Sequence, residues 1–115
     1  MHMPVRKLDH DILNESAHHA EAFLKALANR NRLLILCHLV EGERTVGDLE
    51  EALSLRQPTL SQQLARLRDD GMVATRRESK NIYYSIASPE AEDIIGRLYD
   101  LFRSPAAGEE NQANS

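Results

Sequence analysis

The apolar residues of this chain repeat with a helical period up to Gly71 and alternate with polar residues directly after it. Upstream of this change, Thr45 is a good N-cap, with Asp48 three positions on, for a helix of about two turns. Pro58 fits the first turn of a longer helix, which Gly71 ends. A short helix, a tight turn and a longer helix with polar outer faces form the helix-turn-helix pattern.

Two strands are predicted after Gly71, over residues 72–77 and 82–87, with the polar segment Glu78–Asn81 as the tip between them. A basic-tipped hairpin that directly follows a helix-turn-helix is typical of a wing. The fold is therefore expected to be a winged helix.

Three further helices are predicted around this unit. Apolar residues at helical spacing indicate an amphipathic first helix over 14–28 and a second helix, apolar on most sides, over 30–41. Ser88 and Pro89 begin a final amphipathic helix that ends before Ser104. The expected fold class is mainly α with a β-hairpin wing, in the order α-α-α-α-β-β-α.

Composition allows one domain, because 42% hydrophobic residues in a chain of 115 suffice for one compact core. We expect a flexible lead-in over 1–13, a winged helix domain over 14–103 and a disordered tail over 104–115. No apolar run is long enough to span a membrane. The single cysteine, Cys37, excludes an intrachain disulfide framework, and the N-terminus does not resemble a signal peptide. A cytoplasmic protein without a membrane partner is expected.

The charge of the chain is unevenly distributed. The net charge is −4, but the segment from Arg56 to Lys80 carries six basic and three acidic side chains, a net +3, which leaves −7 elsewhere. This asymmetry is typical of a DNA-reading face on an acidic body. No glycine-rich phosphate loop, nucleophile elbow or pair of catalytic carboxylates is present, so an enzyme is not expected. The alternative of another class is an adaptor that binds protein rather than DNA with the same domain.

Four short motifs occur in order along the chain. They are Leu27-Ala28-Asn29-Arg30-Asn31-Arg32-Leu33, Thr45-Val46-Gly47-Asp48-Leu49, Thr59-Leu60-Ser61-Gln62-Gln63-Leu64 and Ile82-Tyr83-Tyr84. With the order of the elements, they resemble the ArsR/SmtB family of repressors over about Ser16 to Phe102. The resemblance implies a homodimer, built from the first and last helices, that leaves its operator when an inducer binds. Since a two-fold dimer reads two half-sites, a palindromic double-stranded operator is predicted.

Residues of the second helix of the motif and of the wing are predicted to contact DNA. These are Arg56, Gln57, Thr59, Ser61, Gln62, Gln63 and Arg66 on the helix, and Arg76, Arg77, Lys80 and Asn81 at the wing. Glutamine suits bidentate pairing with adenine, and the wing residues suit phosphates or the minor groove. The family motif often has histidine where Gln63 stands, which leaves the base preference open.

Cys37 is the candidate sensor. It matches a cysteine in the second helix of the sulfide-responsive branch of the family, which includes biofilm and hemolysin regulators. That branch has a second cysteine near the end of the last helix, where this chain has Arg103. One hypothesis is that Cys37 alone is modified by reactive sulfur or an oxidant, particularly if Arg103 stabilises its thiolate. The alternative is an inert buried cysteine.

The metal sites of the family are missing here. The stretch Thr45–Asp48 lacks the cysteines of the arsenic and cadmium type, and no histidine follows His38 to build the zinc type. A metal-responsive repressor that uses His18, His19, Cys37 and His38 remains an alternative. No cofactor is expected.

Overall fold

The computed structural model describes residues 6–103. Its elements are α1 His10–Leu27, α2 Arg30–Val40, β1 Arg44–Thr45, α3 Val46–Leu53, α4 Gln57–Asp69, β2 Val73–Glu78, β3 Asn81–Ile86 and α5 Pro89–Arg103. The predicted fold class, mainly α with a β-hairpin wing, is confirmed. The predicted disordered tail and the first residues of the lead-in lie outside the described part of the chain.

The sheet has three antiparallel strands in the order β1-β3-β2. The hairpin of β2 and β3 pairs Val73 with Ile86 at its base and Glu78 with Asn81 at its tip. The short strand β1 pairs Arg44 with Tyr84 on the other side of β3 and was not predicted. A strand of two residues is too short for any alternation of polar and apolar residues to show it.

The first helix begins earlier than predicted. Asp9 is its N-cap, and Oδ1 of Asp9 accepts hydrogen bonds from the backbone N–H groups of Asp11 at 3.0 Å and Ile12 at 3.2 Å. Residues 10–13 therefore belong to α1 rather than to the segment that precedes it.

The core forms around α2. Ile35 and Leu36 are fully buried, together with Leu49 of α3, Leu64 of α4 and Ile95 of α5. The predicted capping of α3 is confirmed as a capping box: the Thr45 hydroxyl accepts from the Asp48 N–H at 3.1 Å, and the Asp48 carboxylate accepts from the Thr45 N–H at 3.0 Å. The start of the helix-turn-helix is thus fixed locally.

The two terminal helices leave apolar surface uncovered. Every residue of α1 from His10 to Ala22 is exposed, and the helix buries only Ala26 and Leu27. Large exposed apolar side chains on the two helices are Ile12, Leu13, Leu24, Tyr99, Leu101 and Phe102. In residues 6–103 no helix is both long and apolar enough to cross a membrane.

Candidate nucleic-acid interface

The helix α4 is held by a stripe of leucines. Leu60, Leu64 and Leu67, spaced four and three residues apart, are fully buried against the core. α3 precedes α4 and ends at Ser54 in a left-handed conformation, with φ of 56°, and Pro58 lies in the first turn of α4. This arrangement presents the opposite side of α4 to solvent.

The predicted contact residues of α4 divide into an outer stripe and two flanks. Thr59, Gln62 and Arg66 are spaced three and four residues apart, so they share one exposed face opposite the leucines. Ser61 is exposed on one flank, and Gln63 is half-buried on the other. The seven residues predicted on this helix therefore do not form one surface.

Gln63 accepts a hydrogen bond from Arg32 of α2, a residue that was not predicted to belong to the site. Nε of Arg32 donates to Oε1 of Gln63 at 3.0 Å, and Nη1 donates to the carbonyl oxygens of Ala26 at 3.1 Å and Lys25 at 3.4 Å. One guanidinium on α2 thus joins the last turn of α1 to α4. Arg32 lies in the first family motif, but 31 residues separate it from Gln63, and no local pattern signals such a contact.

Arg56 and Gln57 are exposed at the start of α4. Arg56 occupies the N-cap position without a side-chain hydrogen bond to the helix. The first N–H groups of a helix and its dipole attract anions, so a basic side chain at this end suits a phosphate.

Arg76, predicted to contact DNA, forms ion pairs with acidic side chains of the protein. Its Nε and Nη2 donate to the two carboxylate oxygens of Glu43 at 2.9 and 2.8 Å, and Nη1 donates to Glu78 at 2.6 Å. Its guanidinium also lies 4.7 Å from the ring centre of Tyr83. The hydrogen bond from Arg76 holds the pKa of Glu43 below its ordinary value, and the same bonds raise the pKa of Arg76. Arg76 thus has two acidic partners within the described residues.

Arg77, Lys80 and Asn81 are exposed at the far end of the hairpin. Neither Arg77 nor Lys80 forms an ion pair within residues 6–103. The tip turns at Ser79, which has φ of 60°, so Lys80 lies at the extreme of the wing. These residues, unlike Arg76, retain their hydrogen-bonding capacity for an outside partner.

Cys37 lies half-buried at a groove of about 380 Å³ between the end of α2 and α5. The groove is lined by Cys37, His38, Val40, Glu41, Ile95, Gly96, Tyr99 and Asp100. Burial raises the pKa of the Cys37 thiol.

Arg103, at the end of α5, contacts two residues of its own helix. Its Cζ lies 5.4 Å from the ring centre of Tyr99, and its Nε lies 3.9 Å from Oδ1 of Asp100. The contacts of Arg103 in the described residues are thus with Tyr99 and Asp100, and its stabilisation of a Cys37 thiolate stays a prediction.

The four residues of the alternative metal site do not converge. His18 and His19 lie on the exposed part of α1, whereas Cys37 and His38 line the groove beside α5. Within the described ranges, no three histidine, cysteine or acidic side chains are placed to hold one metal ion.

The helix-turn-helix, the polar face of α4 and the basic wing define a winged helix DNA-binding regulator. Residues 29–75 match the model of the family described as bacterial regulatory protein, arsR family. The chain belongs to this family, and within it to the branch of the biofilm and hemolysin regulators, since relatives in that branch are 51% and 46% identical to it. It is a DNA-binding transcriptional regulator rather than an enzyme.

Relatives in this branch match most of the chain. A biofilm growth-associated repressor of Agrobacterium fabrum is 51% identical over 82 residues, which cover 71% of this chain and 70% of the relative. The transcriptional activator HlyU of Vibrio cholerae is 46% identical over 83 residues, covering 72% and 77%. The crystal structure of the repressor BigR from Xylella fastidiosa aligns with a TM-score of 0.78 at 39% identity, covering 84% of this chain and 99% of that one.

Proposed function

We propose that this chain is a cytoplasmic transcriptional repressor that binds a palindromic operator as a homodimer and is released by an inducer. The observation that carries the proposal is that the outer stripe of α4 and the wing arginine Arg77 extend on the same side of the sheet. α4 packs against the sheet face that carries the buried Val73, and Arg77 lies on that face nearer the hairpin tip. One duplex can therefore contact both elements.

The side chains on this side suit the two kinds of DNA contact. Thr59 and Gln62 carry short or amide groups able to reach base edges when α4 lies in the major groove. Arg66 and Arg77 are exposed cations suited to the phosphates that flank it. Lys80 and Asn81, at the tip of the wing, suit phosphates or the adjacent minor groove.

The terminal helices support the homodimer. The exposed apolar side chains of α1 and α5, such as Leu24 and Phe102, form a surface that water contacts in a lone subunit. Pairing α1 and α5 with the same helices of a second copy covers this surface by the isologous contact usual in dimers. The two α4 helices then face successive major grooves, which requires two half-sites about one helical turn apart.

We place the inducer at the groove between α2 and α5, where reactive sulfur or an oxidant modifies Cys37. The groove is bordered by Tyr99 of α5, one of the helices assigned to the dimer. A modified thiol adds bulk between α2, which forms the centre of the core, and α5. A change in the α5 position then alters the spacing of the two reading helices and weakens operator binding.

Selection of duplexes from a random DNA pool by the full chain tests DNA binding. We expect enriched sequences with two-fold symmetry and an affinity that falls steeply as salt is raised. Absence of an enriched sequence, or an affinity that stays flat between low and high salt, overturns the proposal and favours the protein-binding adaptor. A promoter fusion that carries the selected site then tests repression, and higher expression in the presence of the regulator contradicts that part.

The inducer is tested by exposing the operator complex to polysulfide or peroxide. We expect release from DNA by the native chain and retention by Cys37→Ser. Release of both proteins to the same extent removes Cys37 from the mechanism and leaves DNA binding itself intact.

A further inference from the structure

The amide of Gln63 is oriented by Arg32. A guanidinium carries hydrogen-bond donors only, so the group that faces Nε of Arg32 at 3.0 Å must be the amide oxygen of Gln63. Gln63 is half-buried, and its oxygen is directed towards α2. The Nε2 group, which donates no hydrogen bond within residues 6–103, is then the end of the amide left for an outside partner.

Arg32 is itself held on several sides. Its Nη1 donates to the carbonyl oxygens of Ala26 and Lys25 in the last turn of α1. Its backbone N–H donates to Oδ1 of Asn29, the N-cap of α2, at 3.1 Å. The Nη1 bonds hold the guanidinium and the backbone bond holds the start of α2, so Nε of Arg32 is in place to orient the Gln63 oxygen before DNA arrives.

We infer that Arg32 is a positioning residue that sets the base preference of Gln63, turning a side chain suited to adenine into a reader of acceptor groups. This inference rests on the proposed DNA-binding function. Bidentate pairing with adenine needs the amide oxygen for the N6 amino group and the amide nitrogen for N7. With the oxygen turned to Arg32, Gln63 offers donors alone.

The base edges in the major groove then decide the preference. Guanine presents two acceptors, N7 and O6, and thymine presents O4, whereas adenine presents the N6 donor beside its N7 acceptor and cytosine presents the N4 donor. Gln63 therefore favours guanine or thymine on the edge that it faces over adenine and cytosine, whose amino groups oppose a donor. Gln62, exposed and not tied to Arg32, keeps both amide groups and remains suited to adenine.

The test compares the base preferences of variants selected from one random DNA pool. For the native chain we expect guanine or thymine at one position of each half-site, by about tenfold over cytosine. Gln63→Ala loses the preference at that position. Arg32→Ala shifts it towards adenine, because the amide oxygen is released, and the double variant has no preference there. Gln62→Ala, the matched control, changes the preference at a different position whether or not Arg32 is present.

A lysine variant and an NMR measurement also test the contact between Arg32 and Gln63. Arg32→Lys retains a cation for the α1 carbonyls but has no Nε–H, so it should shift the preference as Arg32→Ala does even if the alanine variant folds poorly. In the free protein, NMR should find the Nε–H proton of Arg32 protected from exchange with water, and Gln63→Ala should remove that protection.

Selected sequences that show adenine at the Gln63 position in the native chain, or the same preference in both Arg32 variants as in the native chain, overturn this inference and leave the proposed function standing. An exposed, rapidly exchanging Nε–H overturns it without any DNA. A native chain that enriches no sequence overturns the proposed function itself, and the NMR result then reports on the Arg32 contact alone.

Discussion

Arg76 and Arg77 are neighbours in β2, but their side chains leave the strand on opposite faces of the sheet. Arg76 is paired with Tyr83 and lies over its ring, on the face away from the helices. Arg77 is paired with Ile82 and shares its face with the buried Val73. Two residues with the same charge thus have different surroundings: Arg76 binds Glu43 and Glu78, and Arg77 is exposed on the face from which we propose that DNA approaches.

The two wing arginines should differ in their contribution to salt-dependent binding. Arg77→Ala is expected to lower the slope of log affinity against log salt by about one for each phosphate that the arginine neutralises. Arg76→Gln, the matched control, should leave the slope nearly unchanged, because the guanidinium of Arg76 donates to Glu43 and Glu78 and is expected to contact no phosphate. Fluorescence anisotropy with a labelled operator, measured at several salt concentrations, gives both slopes. An equal decrease of slope in the two variants contradicts the assignment.

A single charge on a terminal helix should separate the dimer. Phe102 is 69% exposed and Leu24 is 56% exposed, so glutamate at either position is compatible with the fold of one subunit but places a charge in the apolar contact between copies. Light scattering of Phe102→Glu and Leu24→Glu is expected to give the mass of a monomer. Ala52→Glu adds the same charge to the exposed side of α3 and should remain dimeric. If both Phe102→Glu and Leu24→Glu remain dimeric, the interface through α1 and α5 is excluded.

The capping box of α3 should stabilise the protein most at neutral pH. Thr45→Ala is expected to cost about 1 kcal/mol in the free energy of unfolding, and Thr59→Ala, an exposed threonine outside any cap, much less. Hydrogen bonds from the Thr45 N–H and hydroxyl hold the pKa of Asp48 below its ordinary value. Since the folded pKa is lowered, the stabilisation is present above the ordinary pKa and is lost as pH falls below about 4.

Denaturant unfolding at several pH values measures this effect. Asp48→Asn should show a shallower loss of stability in acid than the native chain, because the group that takes up the proton is gone. Identical acid profiles for the two proteins would contradict the role of Asp48. Glu43, whose pKa is also lowered, adds to the same acid loss, and Glu43→Gln should reduce it further.

Cys37 should be a slow nucleophile at neutral pH. Burial raises the pKa of the thiol, so little thiolate is present, and the rate of alkylation should increase as the medium becomes more alkaline. Mass spectrometry gives the rate for the folded chain and for the same chain in denaturant, which should react faster at pH 7. Arg103→Ala is expected to leave the folded rate unchanged, since Arg103 binds Asp100 and Tyr99. A clear decrease in that variant would support the thiolate-stabilising role.

Local sequence patterns were sufficient to predict the reading helix and the wing. The spacing of Leu60, Leu64 and Leu67 alone determines which side of α4 is buried, and the alternation after Gly71 determines the hairpin. The early start of α1 was also signalled locally, since Asp9 is a good N-cap residue. That signal was outweighed by the weak apolar periodicity of the residues that follow.

The contacts that were not predicted are those between distant segments. Glu43 lies 33 residues from Arg76 and meets it because the short strand β1 brings its segment to the sheet. Arg32 and Gln63 meet because α2 and α4 pack in the same leucine-rich core. Charge and residue type alone predicted the same kind of DNA contact for each arginine and for each glutamine. Only packing shows that Arg76 and Gln63 are also bound to other side chains of the protein.

Because most of α1 is exposed, this helix receives little stabilisation from the rest of its own subunit. An 18-residue helix that buries only Ala26 and Leu27 has little tertiary support, and isolated helices of this length are marginal in water. In a newly made, solitary chain, the half of α1 before Phe23 should fray, and its amide hydrogens should exchange rapidly. In the proposed dimer, contact with the partner completes the folding of α1, so the fraction of chains with a fully folded α1 should rise with the concentration of the protein.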